Sequence, residues 1–395
     1  MLSTEEATAA AAALMQAFAD NTGLTAEGPG RRYLWTDAFA VCNFLALQRR
    51  TGQARYLELA LRLVARVHHV LGRHRADDSR TGWLSGLGEQ AGEEHPTHGG
   101  LRIGKKLAER HPGEPFDEQT EWERDGQYFH YLTRWMHALD LVARSTRQAR
   151  YNLWARELAE VAHRSFVYGA PAEGRGRMFW KMSIDLSRPL VASMGHHDPL
   201  DGFLTCVEMQ GTAARLSAAP KGPGLQQESA DFASMIHSRD LATADPLGLG
   251  GLLMDASRVA QLMATEAFEG EQLMDALFVA AQQGLSHYSR QTDLRQPASR
   301  RLAFRELGLA IGLSAIELVA HEVEEGRLRF AGSVRFADAL EALQPCSALG
   351  TSIVSFWMDA ENRQARSWRD HQDINDVMLA TSLVPEGCVM LPPTP

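Results

Sequence analysis

Cysteine is scarce. The 395 residues hold four, Cys42, Cys206, Cys346 and Cys388, far apart and without CxxC or Cys/His finger spacing. That excludes a disulfide framework and a zinc finger, and the apolar surroundings of three of them suit reduced core thiols. Positive charge is in deficit as well. Forty Lys and Arg against 49 Asp and Glu leave a net charge of −9, which argues against a broad nucleic-acid or anionic-membrane surface. No window approaches the roughly 18 to 20 uninterrupted apolar residues of a membrane span. Met1 to Asp20 carries Glu5, Glu6 and an Ala-rich amphipathic run, not a basic region followed by an apolar one. A soluble, cytoplasmic protein is the expectation.

Several catalytic signatures are missing too. There is no Gly-x-Ser-x-Gly elbow, Walker sequence, Gly-x-Gly-x-x-Gly after a strand, or His-Glu-x-x-His. Asp77-Asp78 is followed by Arg80 and Thr81, so it is not a DDxxD metal box, which weighs against a terpene synthase. Neither a cofactor nor a metal is expected.

What remains is helical pattern. Ser3 with Glu6 reads as a capping box opening a helix to about Phe18. Thr36 can cap a helix from Asp37 to Arg50, and a third follows with Tyr56, Leu63, Val64, Val67 and Leu71 on one face. Later candidates are 125–143, 148–166, 199–216, 226–241, 249–266, 272–288, 299–324, 335–343, 347–362 and 373–382. Phe179–Ile184 is the best strand candidate and Arg327–Phe330 a weak one. One hairpin recurs: Thr51-Gly52-Gln53-Ala54-Arg55-Tyr56 is matched by Thr146-Arg147-Gln148-Ala149-Arg150-Tyr151, a shift of 95 residues (151 − 56). The same shift sets His68 on His163.

About a dozen helices in successive antiparallel pairs, with long loops before some inner helices and Trp35-Thr36-Asp37-Ala38-Phe39 starting one, form a pattern with a known counterpart. It resembles the six-hairpin (α/α)6 toroid of many glycoside hydrolases, unsaturated-uronyl hydrolases and the N-acylglucosamine 2-epimerase group. The resemblance covers nearly the whole chain in helix count and length, while no family signature aligns residue by residue. It implies one all-α domain over residues 1–395, with inner-helix starts and loops lining a sugar-binding funnel.

Chemistry-bearing residues gather in four clusters. Arg31 to Asp37 offers Trp35 and Asp37 at a helix start, where Thr36 and Asp37 could equally serve the helix dipole. The long loop from Arg75 to Thr120 holds Trp83, His95, His98, Arg102 and Lys105, and a loop of that length is functional or disordered. Glu121-Trp122-Glu123-Arg124-Asp125-Gly126-Gln127-Tyr128-Phe129-His130-Tyr131 is denser in polar and aromatic groups than a core helix needs. Met178 to Gly202 packs Trp180, Lys181, Asp185, Arg188, His196, His197, Asp198 and Asp201 into a segment too apolar for a linker. Asp198 before Pro199 also reads as an ordinary N-cap, and Lys181 with Asp185 as a buried pair.

The leading expectation is a glycoside hydrolase, which needs one carboxylic acid and one carboxylate across a sugar ring. Asp37, Glu121, Asp125 and Asp201 are its candidates. Trp35, Trp83, Trp122, Tyr128 and Trp180 would wall the funnel. His98, Arg102, Lys181, His196 and Asp198 would bind substrate, with Arg102, Lys105 and Lys181 pointing to an acidic sugar. An alternative is a sugar epimerase or isomerase in which His130, His196 or His197 exchanges a proton at carbon. The third reading, a non-catalytic binding protein, predicts ionisable groups that all satisfy one another.

Overall fold

The computed structural model describes residues 2–392 apart from 29, 217–220, 267, 293, 327–333 and 344–345. The chain is all-α. Its helices are α1 (Thr4–Asn21), α2 (Leu34–Thr51), α3 (Ala54–Leu71), α4 (Glu89–Glu94), α5 (Glu118–Glu123), α6 (Phe129–Thr146), α7 (Ala149–Phe166), α8 (Asp198–Arg215) and α9 (Gln226–Ser234). There follow α10 (Pro246–Thr265), α11 (Glu271–Gln291), α12 (Ala303–Glu324), α13 (Val334–Leu343), α14 (Ser347–Met358), α15 (Arg366–Arg369), α16 (Gln372–Leu383) and α17 (Glu386–Val389). Five short strands are described: β1 (Gln127–Tyr128), β2 (Val167–Ala170), β3 (Arg175–Met178), β4 (Lys181–Met182) and β5 (Pro189–Val191).

By internal packing the residues form two compact units. One comprises Met1–Asn21, Cys42–Tyr56 and His237–Leu391; the other comprises Thr22–Val41 and Leu57–Ile236, with Pro392.

In the first unit α1 begins with the expected capping box. Ser3 N–H donates to Glu6 Oε2 at 2.7 Å, and Glu6 N–H to Ser3 Oγ at 3.2 Å. The core is the crossing of α10 and α12. There a Cβ on Gly250 would collide with the Gly308 carbonyl, and one on Gly312 with the Gly250 carbonyl, so only glycine permits the approach. Beside it Arg301 grips Glu306, with Nη2 to Oε2 at 2.7 Å, and Trp357 Nε1 donates to the same oxygen at 2.8 Å.

In the second unit α6 and α7 form an antiparallel hairpin on which α8 packs. Buried Asp140 of α6 ties the three together. It accepts from Arg144 Nε at 2.8 Å, Asn152 Nδ2 of α7 at 2.8 Å and Thr212 Oγ1 of α8 at 2.7 Å. Phe129, Phe166 and Phe232 fill the core, the Phe129 ring lying 5.6 Å from Phe166 and 5.4 Å from Phe232.

The repeated hexapeptide folds twice into the same turn. Thr51 Oγ1 donates to Leu47 O at 2.6 Å and accepts from Gln53 N–H at 3.3 Å; Thr146 Oγ1 donates to Val142 O at 2.7 Å and accepts from Gln148 N–H at 3.3 Å. Gly52 and Arg147 both take the left-handed conformation, at φ 69° and 58°. Arg55 lies over Tyr56 at 4.7 Å, and Arg150 over Tyr151 at 4.9 Å.

Some expected boundaries shift. The helix expected from Asp125 starts at Phe129, because Gly126, at φ 151°, is followed by Gln127 and Tyr128, which pair with Met182 and Lys181. A Cβ at Gly126 would press on the Met182 carbonyl. The strand expected over Phe179–Ile184 is confined to β4, between β1 and β5. Thr36 does not cap α2. That helix begins two residues earlier, and the Thr36 hydroxyl is buried without a hydrogen-bond partner among the described residues. Arg327–Phe330 lies outside the described residues.

Candidate functional site

All the predicted site residues fall in the second unit. The long loop is ordered by Asp125, which has no solvent exposure. Its carboxylate accepts from Arg102 Nη1 at 2.6 Å, Arg75 Nη1 at 3.2 Å, Gly104 N–H at 2.9 Å and Gly126 N–H at 3.1 Å. Arg102 also donates to the Arg73 and Val70 carbonyls, and Arg75 to that of Lys105. A second hub, Arg80, reaches Asp78 at 2.7 Å, Glu109 at 2.8 Å and Asp185 at 2.7 Å. Asp185 therefore pairs with Arg80, not with Lys181.

Lys181 is fully buried. Its ammonium donates to Glu121 Oε1 at 2.9 Å and to the carbonyls of Glu121 and Arg124 at 2.7 and 2.9 Å. Arg110 Nε holds the other Glu121 oxygen at 2.9 Å. Burial pulls the Lys181 ammonium below the usual lysine value, and the bond to Glu121 opposes that. Asp37 accepts from Tyr33 N–H at 3.0 Å and from Arg32 Nη1 at 3.4 Å, fixing the start of α2.

On this frame stands a wall of rings. The Tyr33 and Tyr131 hydroxyls are 2.6 Å apart, and Trp35 lies 6.5 Å from Tyr131. Tyr128 is 5.2 Å from Tyr131, 5.4 Å from Trp180 and 6.3 Å from Trp122. Burial raises the Tyr33, Tyr128 and Tyr131 phenols, so all three are neutral donors at physiological pH. Trp122 is 43% exposed and forms the open edge. Lys105 places its ammonium 5.4 Å from the Tyr33 ring, and burial lowers its pKa.

His130 sits in the middle. Its ring stacks on Trp180 at 6.2 Å with an interplanar angle of 18°, and touches Tyr128 at 5.4 Å and Tyr131 at 4.7 Å. Burial depresses its pKa to about 4, Asp201 opposing and Arg134 adding to the effect. The imidazole is neutral at pH 7 and makes no ring-nitrogen hydrogen bond among the described residues.

The start of α8 lies within electrostatic reach of this ring. Asp201 accepts from Arg134 Nη2 at 2.9 Å. Asp198 is buried, and its Oδ2 has no hydrogen-bond partner among the described residues. Burial, then the charge of Asp201, raises its pKa to about 8, so this carboxyl keeps its proton at pH 7. Asp198 is also not the N-cap; His197 holds that position, and Asp198 is the first helical residue, with Pro199 second. His196 is exposed, its ring 5.0 Å from that of His197.

Trp83 and His98 stand apart from the wall. Trp83 packs under the Arg73 guanidinium at 4.3 Å, and exposed His98 lies beside His95, which bonds Glu157 at 2.6 Å. Arg134, one helical turn after His130, lay outside the sequence clusters, while Tyr33 and Tyr131 lay within them without an assigned role.

No protein-family model matches this sequence, and no curated protein sequence matches it. Among solved structures the chain is similar to the cellobiose 2-epimerase of Spirochaeta thermophila DSM 6192, at 12% sequence identity and a TM-score of 0.46, over 90% of this chain and 88% of that one.

Proposed function

We propose that this chain is a sugar epimerase or isomerase, built as one (α/α)6 domain, that exchanges a proton at a carbon beside a carbonyl. The observation that carries the reading is the division of the ionisable groups. Asp37, Glu121, Asp125 and Asp201 are each tied to a guanidinium or ammonium, whereas His130 and Asp198 are held uncharged and make no ion pair among the described residues. The leading expectation from the sequence, hydrolysis by a carboxylate pair, would draw on groups already engaged in ion pairs.

A neutral imidazole is a base and a protonated carboxyl an acid, and together they make a proton-transfer pair at neutral pH. In the proposed step the aldehyde or ketone form of a sugar stacks on the Trp180–Tyr128 wall. His130 takes the proton from the carbon next to the carbonyl, leaving an enediolate. Asp198 returns a proton to that carbon from the opposite side, inverting it, and proton exchange with solvent resets both groups. Of the mutually bonded Tyr33 and Tyr131 hydroxyls, one keeps a free O–H to donate to a sugar oxygen.

The test is a product screen on reducing mono- and disaccharides, neutral and acidic. The proposal expects an epimer or isomer with no change in chain length. Release of new reducing ends would establish hydrolysis instead, with Asp198 as the acid.

A further inference from the structure

We propose that a second pocket, separate from the aromatic wall, binds a neutral saccharide ring. It has a volume of about 590 Å³, within the range of small-molecule sites. Arg66, His68 and His69 of α3 line it together with Trp83, Glu93 of α4 and Trp154 of α7. None of these residues belongs to the wall.

His68, only 4% exposed, is the group that points to a ligand. Trp135 Nε1 donates to His68 Nε2 at 3.1 Å. An indole N–H can only donate, so Nε2 must carry the lone pair and Nδ1 the hydrogen. Burial drives the His68 pKa down to about 3, which keeps the ring in that neutral form. Its Nδ1–H has no acceptor among the described residues, and it is not enclosed by protein, so it is open to the pocket that His68 lines. A ligand oxygen in the pocket would accept from it in place of water.

The rest of the lining selects the ligand class. Arg66 and His69 offer donors, Glu93 offers acceptors, and two indoles flank them. Trp154 is fixed by its own N–H, which donates to the Glu94 carbonyl at 2.8 Å. A hydrocarbon ring would leave the polar groups unpaired, and a charged ligand would meet both signs. A polyhydroxylated ring presents hydroxyls to the polar groups and C–H faces to the indoles.

The full chain can be titrated with the neutral disaccharide cellobiose, and separately with indole, following the tryptophan side-chain N–H signals by NMR. Cellobiose is expected to shift the Trp83 and Trp154 signals saturably. Trp154→Ala should weaken that binding at least roughly tenfold, and Glu93→Gln, at an exposed position, should weaken it less while leaving the fold intact. His130→Ala should leave the shifts unchanged. Absence of shifts at these two indoles overturns the proposal, as does a response to indole without one to cellobiose, or loss of the shifts in His130→Ala. Shifts without any turnover would contradict the proposed enzyme activity and leave this pocket standing.

Discussion

The loop from Arg73 to Asp125 and the start of α8 hold the same kinds of side chain and use them in opposite ways. In the loop the buried carboxylates of Glu121 and Asp125 both meet cationic side chains, and Asp125 alone gathers four donors. At the start of α8 two carboxyls lie three residues apart, and Arg134 bonds Asp201 at 2.9 Å. Asp198 keeps a proton because burial and the charge of Asp201 disfavour its anion more than the Gly195 backbone N–H favours it. A saturated carboxylate can hold a fold together but has no capacity left to move a proton. The difference separates scaffold from candidate chemistry more sharply than residue type does.

The largest effect is expected on breaking the saturated side. Asp125→Ala leaves Arg102 buried and Arg75 half-buried without their shared counter-ion, and should cost about 3–5 kcal/mol in denaturant unfolding. A loss below about 1 kcal/mol would mean that the loop is held by other contacts.

On the uncommitted side, His130→Ala should lower kcat by roughly 10²–10⁴ with little change in unfolding midpoint, as for loss of a general base. The pH profile of kcat/KM should be a bell. Activity falls below about pH 4 as His130 becomes charged, and above about pH 8 as Asp198 loses its proton.

Asp198→Asn sharpens the comparison through stability. The native carboxyl keeps its proton up to about pH 8, while the unfolded one releases it near the ordinary aspartate value of 3.8. Between those values the native state binds more protons, so the wild type loses stability as pH rises. The Asn variant carries no such penalty, and should be more stable than wild type at pH 8 by more than about 1 kcal/mol, with the gain gone at pH 4. Equal stability at both pH values would mean that Asp198 ionises normally.

The smallest effect is expected at Lys105, the cation beside Tyr33 that makes no carboxylate bond among the described residues. Lys105→Met should raise KM for uronates by less than roughly tenfold and leave neutral sugars unaffected. An equal change for both would remove Lys105 from substrate charge recognition.

Much of the helical framework was legible in the sequence, because it rests on local signals. The Ser3–Glu6 capping box and the hexapeptide repeat at Thr51 and Thr146 are written within a few residues of where they act. The clusters around Trp35, Glu121 and His196 were visible as unusual composition. Their pairings were not, since Arg134 and Asp201 are 67 residues apart and Arg80 and Asp185 are 105 apart. For the same reason Asp125 and Asp201 read as catalytic candidates in the sequence and Asp198 as an N-cap or substrate-binding group, and Lys181 looked like a partner for Asp185. Only tertiary approach decides which carboxylate finds a cation.

The most direct test of the central claim is solvent exchange. The protein would be incubated in D2O with the sugar it turns over, and deuterium at the carbon beside the carbonyl followed by proton NMR. The account predicts incorporation by the wild type, abolished in His130→Ala and retained in Asp37→Asn. Turnover without deuterium entering the sugar, or an undiminished rate in His130→Ala, would contradict it.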